Sequence, residues 1–513
     1  MSHPVIPAPV RFDGDAGQFA VRPGTAIAYT AAEVAPIVDR FCVEIMRRTG
    51  LRVAPLAGHP APGEPSVRIE LAGSDELGAL PAQLGISPAG GRPPDERYSL
   101  TAAAGQVLLR AAEPAGVARG LTTLTQLLAT APSPGTGDGA RIADAPRYAW
   151  RGLSLDLARA FFTPDEVRRV IDLLALYKLN VLHLHLTDDQ GWRLPVGRKA
   201  GSDERYAGFY SHADLRELIT YAADRFVTVV PEVDMPGHVS AFLRMHPELN
   251  SGRNDAERRA AWLDPELPAT FTLAEGVLAG VAEIFPSPYI HIGGDEPWGM
   301  PHGLYVAFVR RVRDFVRSLG KRPLGWQESA RAGLDAGDIV QYWLSGLAMA
   351  PSLPAEIRAK IDADLALARR DIAAAVAASV PVITSPQSHC YLDVPYAEPS
   401  ADPAQAGRQG RAGLRLYAPM TVAQSFDWEP AETLGAGRAA QVAGVEAAVW
   451  AETISDFGDL TFLLLPRLPG IAHKAWSGPR AAWADHRDRL AWHARLWAQD
   501  DLEYFRASTV NWR

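Results

Sequence analysis

The segment HIGGDEPWGM, residues 291–300, carries a strand-like apolar run into two glycines and then into two adjacent acids, Asp295 and Glu296. Neighbouring side chains of an extended strand point to opposite faces, so the two carboxyls are not expected to act as one pair and need separate tasks. Further polar and aromatic residues recur where strand-like runs end: Arg159, Asp188, Asp234 with His238, Trp326, Trp343, Tyr391 with Asp393, and Trp450 with Glu452. Carboxylates accept hydrogen bonds from hydroxyls, and indole faces cover the C–H surface of a ring. The set suits a sugar.

Cleaving a glycosidic bond needs a carboxylic acid to protonate the leaving oxygen, and usually a second carboxylate as nucleophile or base. Glu296 has the longer reach and lies one residue further into the loop, so it is read as the acid. Asp295, fixed to its neighbour by the backbone, is poorly placed to attack the opposite side of the anomeric carbon and is better suited to holding a substrate group. An acetamido arm at C2 of the sugar could supply the attacking oxygen while Asp295 accepts from its N–H. Such substrate assistance is a known exception to the two-carboxylate scheme.

Strand-like runs at 151–157, 180–186, 226–232, 289–293, 322–326, 338–343, 380–385 and 445–450 alternate with helical stretches such as TPDEVRRVIDLLALYK and HADLRELITYAAD. Eight strands with intervening helices predict a (β/α)8 barrel, whose reactive groups gather at the C-terminal strand ends. The Pro/Gly/Ser-rich APSPGTGDGA, residues 131–140, reads as a turn-rich connection or boundary. Before it, strand patterns in SVRIELAG and YSLTAAAGQVLLRAA and a helical GVARGLTTLTQLLAT form a small α+β domain. The expected division is residues 1–143 for that supporting domain and 144–513 for the barrel.

The motifs LDLARAFF, HLHLTDDQGWR, PEVDMPGH, HIGGDE, LGWQE, VQYW, CYLD and VWAE, in this order, resemble the family 20 glycoside hydrolases, the β-N-acetylhexosaminidases. The resemblance spans roughly residues 147–475 by motif. It implies Glu296 as general acid/base and Asp295 as the acetamide-orienting residue, with Tyr391 bonding to the acetamide oxygen. It implies that Trp326, Trp343 and Trp450 wall the acetamide pocket and one sugar face, while Arg159, Asp393 and Glu452 bind ring hydroxyls. Asp188 and His238 become a buried pair supporting Glu296. Departures are Ala160, where the family often has histidine, a short stretch between Asn250 and Leu263, and a long one from Leu344 to Ser379. Trp298 is read either as a platform for the leaving-group sugar or as loop packing.

Competing readings start from other residues. His183 and His185 in HLHL share a face with period 2 and could open a metal-dependent amidohydrolase site, but later strand ends supply no histidine set to complete a shell. They are read, with His291, as hydrogen-bonded barrel packing, and neither metal nor cofactor is expected. Asp234 is either a turn acid or part of a polar network beside the acid. A sugar-binding protein without catalysis would keep the aromatics but lack the acids. With 47% apolar residues, 21% charged and a formal charge of −8, the chain has ordinary globular composition and no basic surface to attract nucleic acid or an anionic membrane. A small-molecule or oligosaccharide substrate is the expected partner. Cys42 and Cys390 are read as two buried small residues. The opening MSHPVIPAPVRFDG lacks the basic and apolar regions of a secretory leader. A cytoplasmic location is therefore expected, or a secreted one if a leader has been removed.

Overall fold

In the computed structural model, residues 3–513 are described except 15–16, 74–76, 78–79, 82–83, 104, 134, 199–207, 252, 254–260, 347 and 480. Eight parallel strands close into a barrel: Trp150–Asp156, Val181–His185, Thr228–Glu232, Tyr289–His291, Arg322–Trp326, Ile339–Tyr342, Val382–Thr384 and Val442–Val449. Each lies within or beside the run expected from the sequence. The first strand is buried at all seven positions, as a parallel strand covered on both faces must be.

The helices between strands start where local chemistry satisfies their free N–H groups. Thr163 caps Pro164–Leu176 in a reciprocal capping box with Glu166, and Pro164 occupies the first turn, where a missing N–H costs nothing. Ser211 and Asp214 do the same for His212–Ala223. Both helices turn apolar faces inward, through Val167, Val170, Ile171 and Leu174 in the first and Leu215, Leu218 and Ala222 in the second.

The barrel interior is layered. One layer is apolar, built from Trp150, Val181, Val230, Tyr289, Leu324, Ile339 and Ile383. Beside it lies a polar network. His183 Nδ1 meets Glu446 Oε1 at 2.8 Å, Gln341 Nε2 donates to the same oxygen at 2.8 Å, and Trp150 Nε1 donates to Glu446 Oε2 at 2.6 Å. Buried polar groups carry a desolvation cost unless paired, and both oxygens of Glu446 are paired.

Before the barrel, a seven-stranded sheet runs in the order Arg11–Asp13, Ala140–Asp144, Tyr98–Ala103, Gln106–Ala111, Ser66–Leu71, Ala26–Tyr29, Ala54–Ala57, with helices Ala35–Thr49 and Pro114–Ala129 packed on it. Buried ions join it to the barrel. Glu96 accepts from Arg119 Nε and Arg151 Nη2, each at 2.7 Å, and Asp144 accepts from Lys178 Nζ at 2.8 Å and Trp476 Nε1 at 2.9 Å. Burial opposes the charge of Glu96, but the two guanidiniums outweigh it and hold its pKa below the usual value.

Two expectations need correction. The segment 131–140 is not a bare connection: Thr136–Asp138 pairs with Gln18–Ala20, and Ala140–Asp144 is an inner strand of the sheet. Pro and Gly there make the turns that flank these short strands within the small domain. Cys390 is buried, whereas Cys42 is only partly so.

Between the sixth and seventh barrel strands stands a helix, Ala355–Ala377, which accounts for the long stretch 344–379. It packs on the short 3-10 helix Gln327–Ala332 that follows the fifth strand, tied by Arg331 to Asp371 at 2.7 Å. Of the stretch 250–263, residues 252 and 254–260 lie outside the described residues.

Candidate active site

The two glycines of HIGGDE have distinct uses. Gly293 has φ 65°, and a Cβ there would lie 1.7 Å from Asp234 Oδ1; Gly294 has φ 96° and donates its N–H to that oxygen at 3.1 Å. A side chain at 293 would both clash and sit in the left-handed region that glycine tolerates best. Beyond them Glu296 itself adopts φ 45°, so the chain is no longer extended and the strand rule that separates adjacent side chains lapses. Both carboxyls turn to one imidazole: His238 Nε2 lies 3.6 Å from Asp295 Oδ2 and 3.7 Å from Glu296 Oε2. These distances are electrostatic contacts rather than hydrogen bonds. His238 is also left-handed, at φ 55°. Such conformations cost energy and cluster at functional sites.

Asp234 is nearly inaccessible, its backbone N–H held by Thr187 Oγ1 at 3.0 Å. Burial and the facing Asp295 raise its pKa well above the usual carboxylate value. It belongs to the polar network beneath the acid pair, not to an ordinary turn.

Behind His238 runs a chain of charges. Its Nδ1 meets Asp188 Oδ1 at 3.2 Å; Asp188 Oδ2 meets Arg159 Nη2 at 2.7 Å and His185 Nε2 at 3.0 Å; His185 Nδ1 meets Glu232 Oε2 at 2.6 Å. Burial disfavours a charged His238, yet Asp188 and Asp295 outweigh it and raise the imidazole well above its ordinary pKa. Burial likewise opposes an ionised Asp188, and His238 with Arg159 reverses this, holding it well below the usual range. The pair is thus imidazolium and carboxylate, and the imidazolium faces both Asp295 and Glu296 rather than Glu296 alone. Glu296 keeps 28% of its side-chain surface open to the cleft, but its carboxyl is deep enough for burial to lift its pKa to about 7, with Asp295 and Asp364 adding and His238 opposing. A general acid for neutral solution needs a pKa in that region.

The expected aromatics form one wall. Trp326 and Trp450 centroids are 6.0 Å apart, Trp450 and Tyr391 6.0 Å, and Tyr391 and Trp343 stack 5° from parallel at 6.2 Å. Two of them are pinned through their ring N–H: Trp326 Nε1 donates to Glu232 Oε1 at 2.8 Å and Trp343 Nε1 to Glu328 Oε2 at 3.1 Å. At the same mouth, Arg159 binds Asp156 Oδ2 at 3.0 Å and approaches Glu452 Oε1 at 3.5 Å. Asp393 is fully buried, and burial with nearby Glu452 raises its pKa well above normal. Asp295 Oδ1, Asp393 Oδ2, His238 Nε2 and Arg159 Nε are buried polar atoms without a hydrogen-bond partner among the described residues. Unsatisfied groups of this kind are rare in folded proteins and call for an explanation; these four belong to one site.

All eleven residues singled out from the sequence as catalytic or substrate-binding thus fall at this mouth. Sequence reasoning misses four others. Asp156 and Glu232 end barrel strands and orient Arg159, His185 and Trp326; acids interrupting apolar strands are the available signal. Glu328 anchors Trp343. Tyr417 packs 6.4 Å from Tyr391 but lies in an irregular stretch where no periodicity marks it.

Ligand atoms of His183, Glu232 and His291, and of Asp234, His238 and Asp295, lie close enough together to hold a cation. The histidines are already used otherwise. Burial works against charge on His183, but Glu446 and Glu232 bring it to about 9, and His238 is raised as well. His183 and His185 make the hydrogen-bonded contacts expected of them, to Glu446 and to Glu232 and Asp188.

Comparison with known proteins decides the family. The model of the glycosyl hydrolase family 20 catalytic domain matches residues 148–303 and 299–479, and that of the family's domain 2 matches residues 2–145. The chain belongs to glycosyl hydrolase family 20. As a member of family 20 it is a glycoside hydrolase, and every residue of the site lies within the catalytic match. It is 35% identical to a Cellulomonas fimi β-N-acetylhexosaminidase, over 99% of this chain and 97% of that one. Its fold superposes on the family 20 β-N-acetylhexosaminidase of Streptomyces coelicolor with a TM-score of 0.81 at 33% identity, covering 99% of both chains. A mutant Streptomyces plicatus β-hexosaminidase in complex with its product GlcNAc matches equally well, with TM-score 0.81, 33% identity, and 99% and 98% of the chains.

Proposed function

We propose that this protein is an exo-acting, retaining β-N-acetylhexosaminidase that removes terminal non-reducing N-acetylhexosamine residues by substrate-assisted catalysis. The observation that carries the reading is the joint hold of His238 on Asp295 and Glu296, which puts two adjacent acids on one side of the site. Two acids on one side cannot flank the anomeric carbon as nucleophile and acid do in the two-carboxylate scheme. The attacking atom then comes from the substrate: its acetamide oxygen bonds to C1 while Glu296 gives its proton to the departing glycosidic oxygen. Asp295 Oδ1, buried and unpaired among the described residues, accepts from the acetamide N–H and stabilises the positive oxazolinium ion. Glu296, now a carboxylate, takes a proton from water, which attacks C1 from the side the leaving group vacated and restores the original configuration.

The wall of Trp326, Trp343, Trp450 and Tyr391 is the receptor for the acetamide and sugar face, with the Tyr391 hydroxyl toward the acetamide oxygen. Arg159, Asp393 and Glu452 take the ring hydroxyls, which closes the pocket around a terminal sugar. The relatives support this reading: the Cellulomonas fimi enzyme carries the same activity in its name, and the Streptomyces plicatus structure holds GlcNAc as product. Hydrolysis of a nitrophenyl β-N-acetylglucosaminide against the matching β-glucoside tests it. The acetamido substrate should react faster by about 10³-fold or more, the scale expected when an intramolecular nucleophile is lost; equal rates would remove substrate assistance.

A further inference from the structure

The first and eighth barrel strands pair as far as Leu155 and Val449, and past that point a buried side chain carries the seam. Asp156 is fully inaccessible, and each of its oxygens accepts two hydrogen bonds. Oδ1 takes the backbone N–H groups of Ala158 and Arg159, each at 3.0 Å. Oδ2 takes Arg159 Nη1 and the N–H of Ala451, also at 3.0 Å. A carboxylate has about four acceptor positions, so Asp156 keeps none for a ligand. The Trp450 N–H, one residue earlier, reaches Asp393 Oδ1 at 3.4 Å. Glu452 thus follows a backbone held by carboxylates of the site. Arg159 is fixed on its other side by Asp188 Oδ2, 2.7 Å from Nη2, and its guanidinium carbon stands 5.4 Å from the Trp450 ring centroid. Its Nε is a buried donor without a hydrogen-bond partner among the described residues, 3.5 Å from Glu452 Oε1. We propose that Asp156 is a positioning residue for recognition of the sugar's ring hydroxyls: by holding Arg159 and the backbone before Glu452 at once, it sets the spacing at which Arg159 Nε and Glu452 receive a hydroxyl between them. This rests on the assignment of Arg159 and Glu452 to ring hydroxyls.

Asp188 also holds Arg159, but its other contacts lead to His185 and His238. Asp156 joins the ends of both strands. In Asp156→Asn the side chain keeps its shape but has one acceptor oxygen, and its amide N–H groups must face two donors whichever way it turns. One donor of each pair belongs to Arg159, the backbone N–H at Oδ1 and Nη1 at Oδ2. Either orientation therefore loosens Arg159 against Glu452. A seam with no part in recognition would weaken the protein alike for every substrate.

The experiment compares kcat and KM of the parent and Asp156→Asn on a nitrophenyl β-N-acetylglucosaminide and on its 3-deoxy and 4-deoxy analogues. The parent should lose about 10- to 100-fold in kcat/KM on at least one analogue, the worth of a hydrogen bond to charged groups. Asp156→Asn should lose about tenfold on the complete sugar, chiefly in KM, as for binding shared by ground and transition states. On the analogue lacking the hydroxyl that Arg159 and Glu452 share, it should lose less than about threefold, because coupled contacts do not add. An equal loss on all of these sugars is what a merely structural seam gives, and it overturns the proposal. A parent indifferent to both deletions overturns the assignment of Arg159 and Glu452 and the proposal with it. Should Asp156→Asn not fold, exchanging the Ala451 N–H for an ester oxygen removes one bond to Asp156 and leaves every side chain in place. That variant should narrow the parent's discrimination in the same way; unaltered discrimination overturns the proposal.

Discussion

Replacing Glu296 by glutamine tests the site through both its chemistry and its stability. A carboxyl whose pKa rises from 4.5 to about 7 in the folded protein is protonated for about nine molecules in ten at pH 6 and for about one in ten at pH 8. The alkaline limb of kcat/KM should therefore bend near pH 7 in the parent enzyme and vanish in Glu296→Gln. A general acid contributes about 10²–10⁴-fold, so the variant should lose that much on a disaccharide and far less on a dinitrophenyl glycoside, which departs without a proton. The same shift acts on stability. Because the folded pKa lies above the unfolded one, the folded state is unpenalised below pH 4.5 and loses stability as pH rises to about 7. An ionised Glu296 costs about 3 kcal/mol by this linkage, or about 2 kcal/mol once its partial exposure is allowed for. Glu296→Gln should be more stable than the parent by about that amount at pH 8 and no more stable at pH 4, measured by denaturant unfolding at each pH. A limb that persists in the variant, or a stability gain that does not grow between pH 4.5 and 7, refutes the assignment of the shifted group.

Other outcomes follow from the same structure. Gly293→Ala places a methyl 1.7 Å from Asp234 Oδ1 at a left-handed φ; it should cost about 2–4 kcal/mol on a thermal scan and activity with it, and a variant as stable as the parent contradicts the close approach. Removing the carboxyl that is buried and half unpaired, Asp393→Ala, should raise KM by about tenfold, the worth of one buried hydrogen bond, with the kcat loss smaller than for Glu296→Gln; an unchanged KM denies it a substrate hydroxyl. His473 and His486 are buried near Arg489 and Lys474, and burial with these cations holds both well below the ordinary histidine value, while His493, buried alike, falls to about 4. They are neutral when folded and charge when unfolded, so stability should fall as pH drops from about 6.5 toward 4, whereas His183 and His238, raised in the fold, are protonated in both states there and add no slope. His486→Gln should flatten that fall; an unaltered slope in urea titrations contradicts it.

Much of the fold and of the site is legible in the amino-acid sequence. Eight apolar runs of strand length alternating with capped helical stretches leave few folds, and a barrel's shared mouth turns residues far apart in sequence, such as Arg159 and Glu452, into neighbours. Other features are hidden for physical reasons. That Asp295 and Glu296 face the same imidazole depends on the φ of 45° at Glu296, which no residue type announces; glycines at 293 and 294 only hint at it. Glu232 and Glu446 read as flaws in apolar strands because their partners, His183, His185, Trp150 and Trp326, come from other strands. The short strand inside residues 131–140 is obscured by its own turn residues, whose Pro and Gly content outweighs the three residues between them. The helix Ala355–Ala377 is visible as a helix, but its contact with Trp298 is tertiary and leaves no periodic trace.

The claim on which the account turns is that the sugar, not a side chain, supplies the nucleophile. Intact-protein mass spectrometry on enzyme quenched during turnover of a slow N-acetylhexosaminide, together with the anomeric form of the first product by NMR, addresses it directly. Retained configuration with only unmodified protein is the predicted result. A glycosyl ester on any carboxylate of the chain would contradict it.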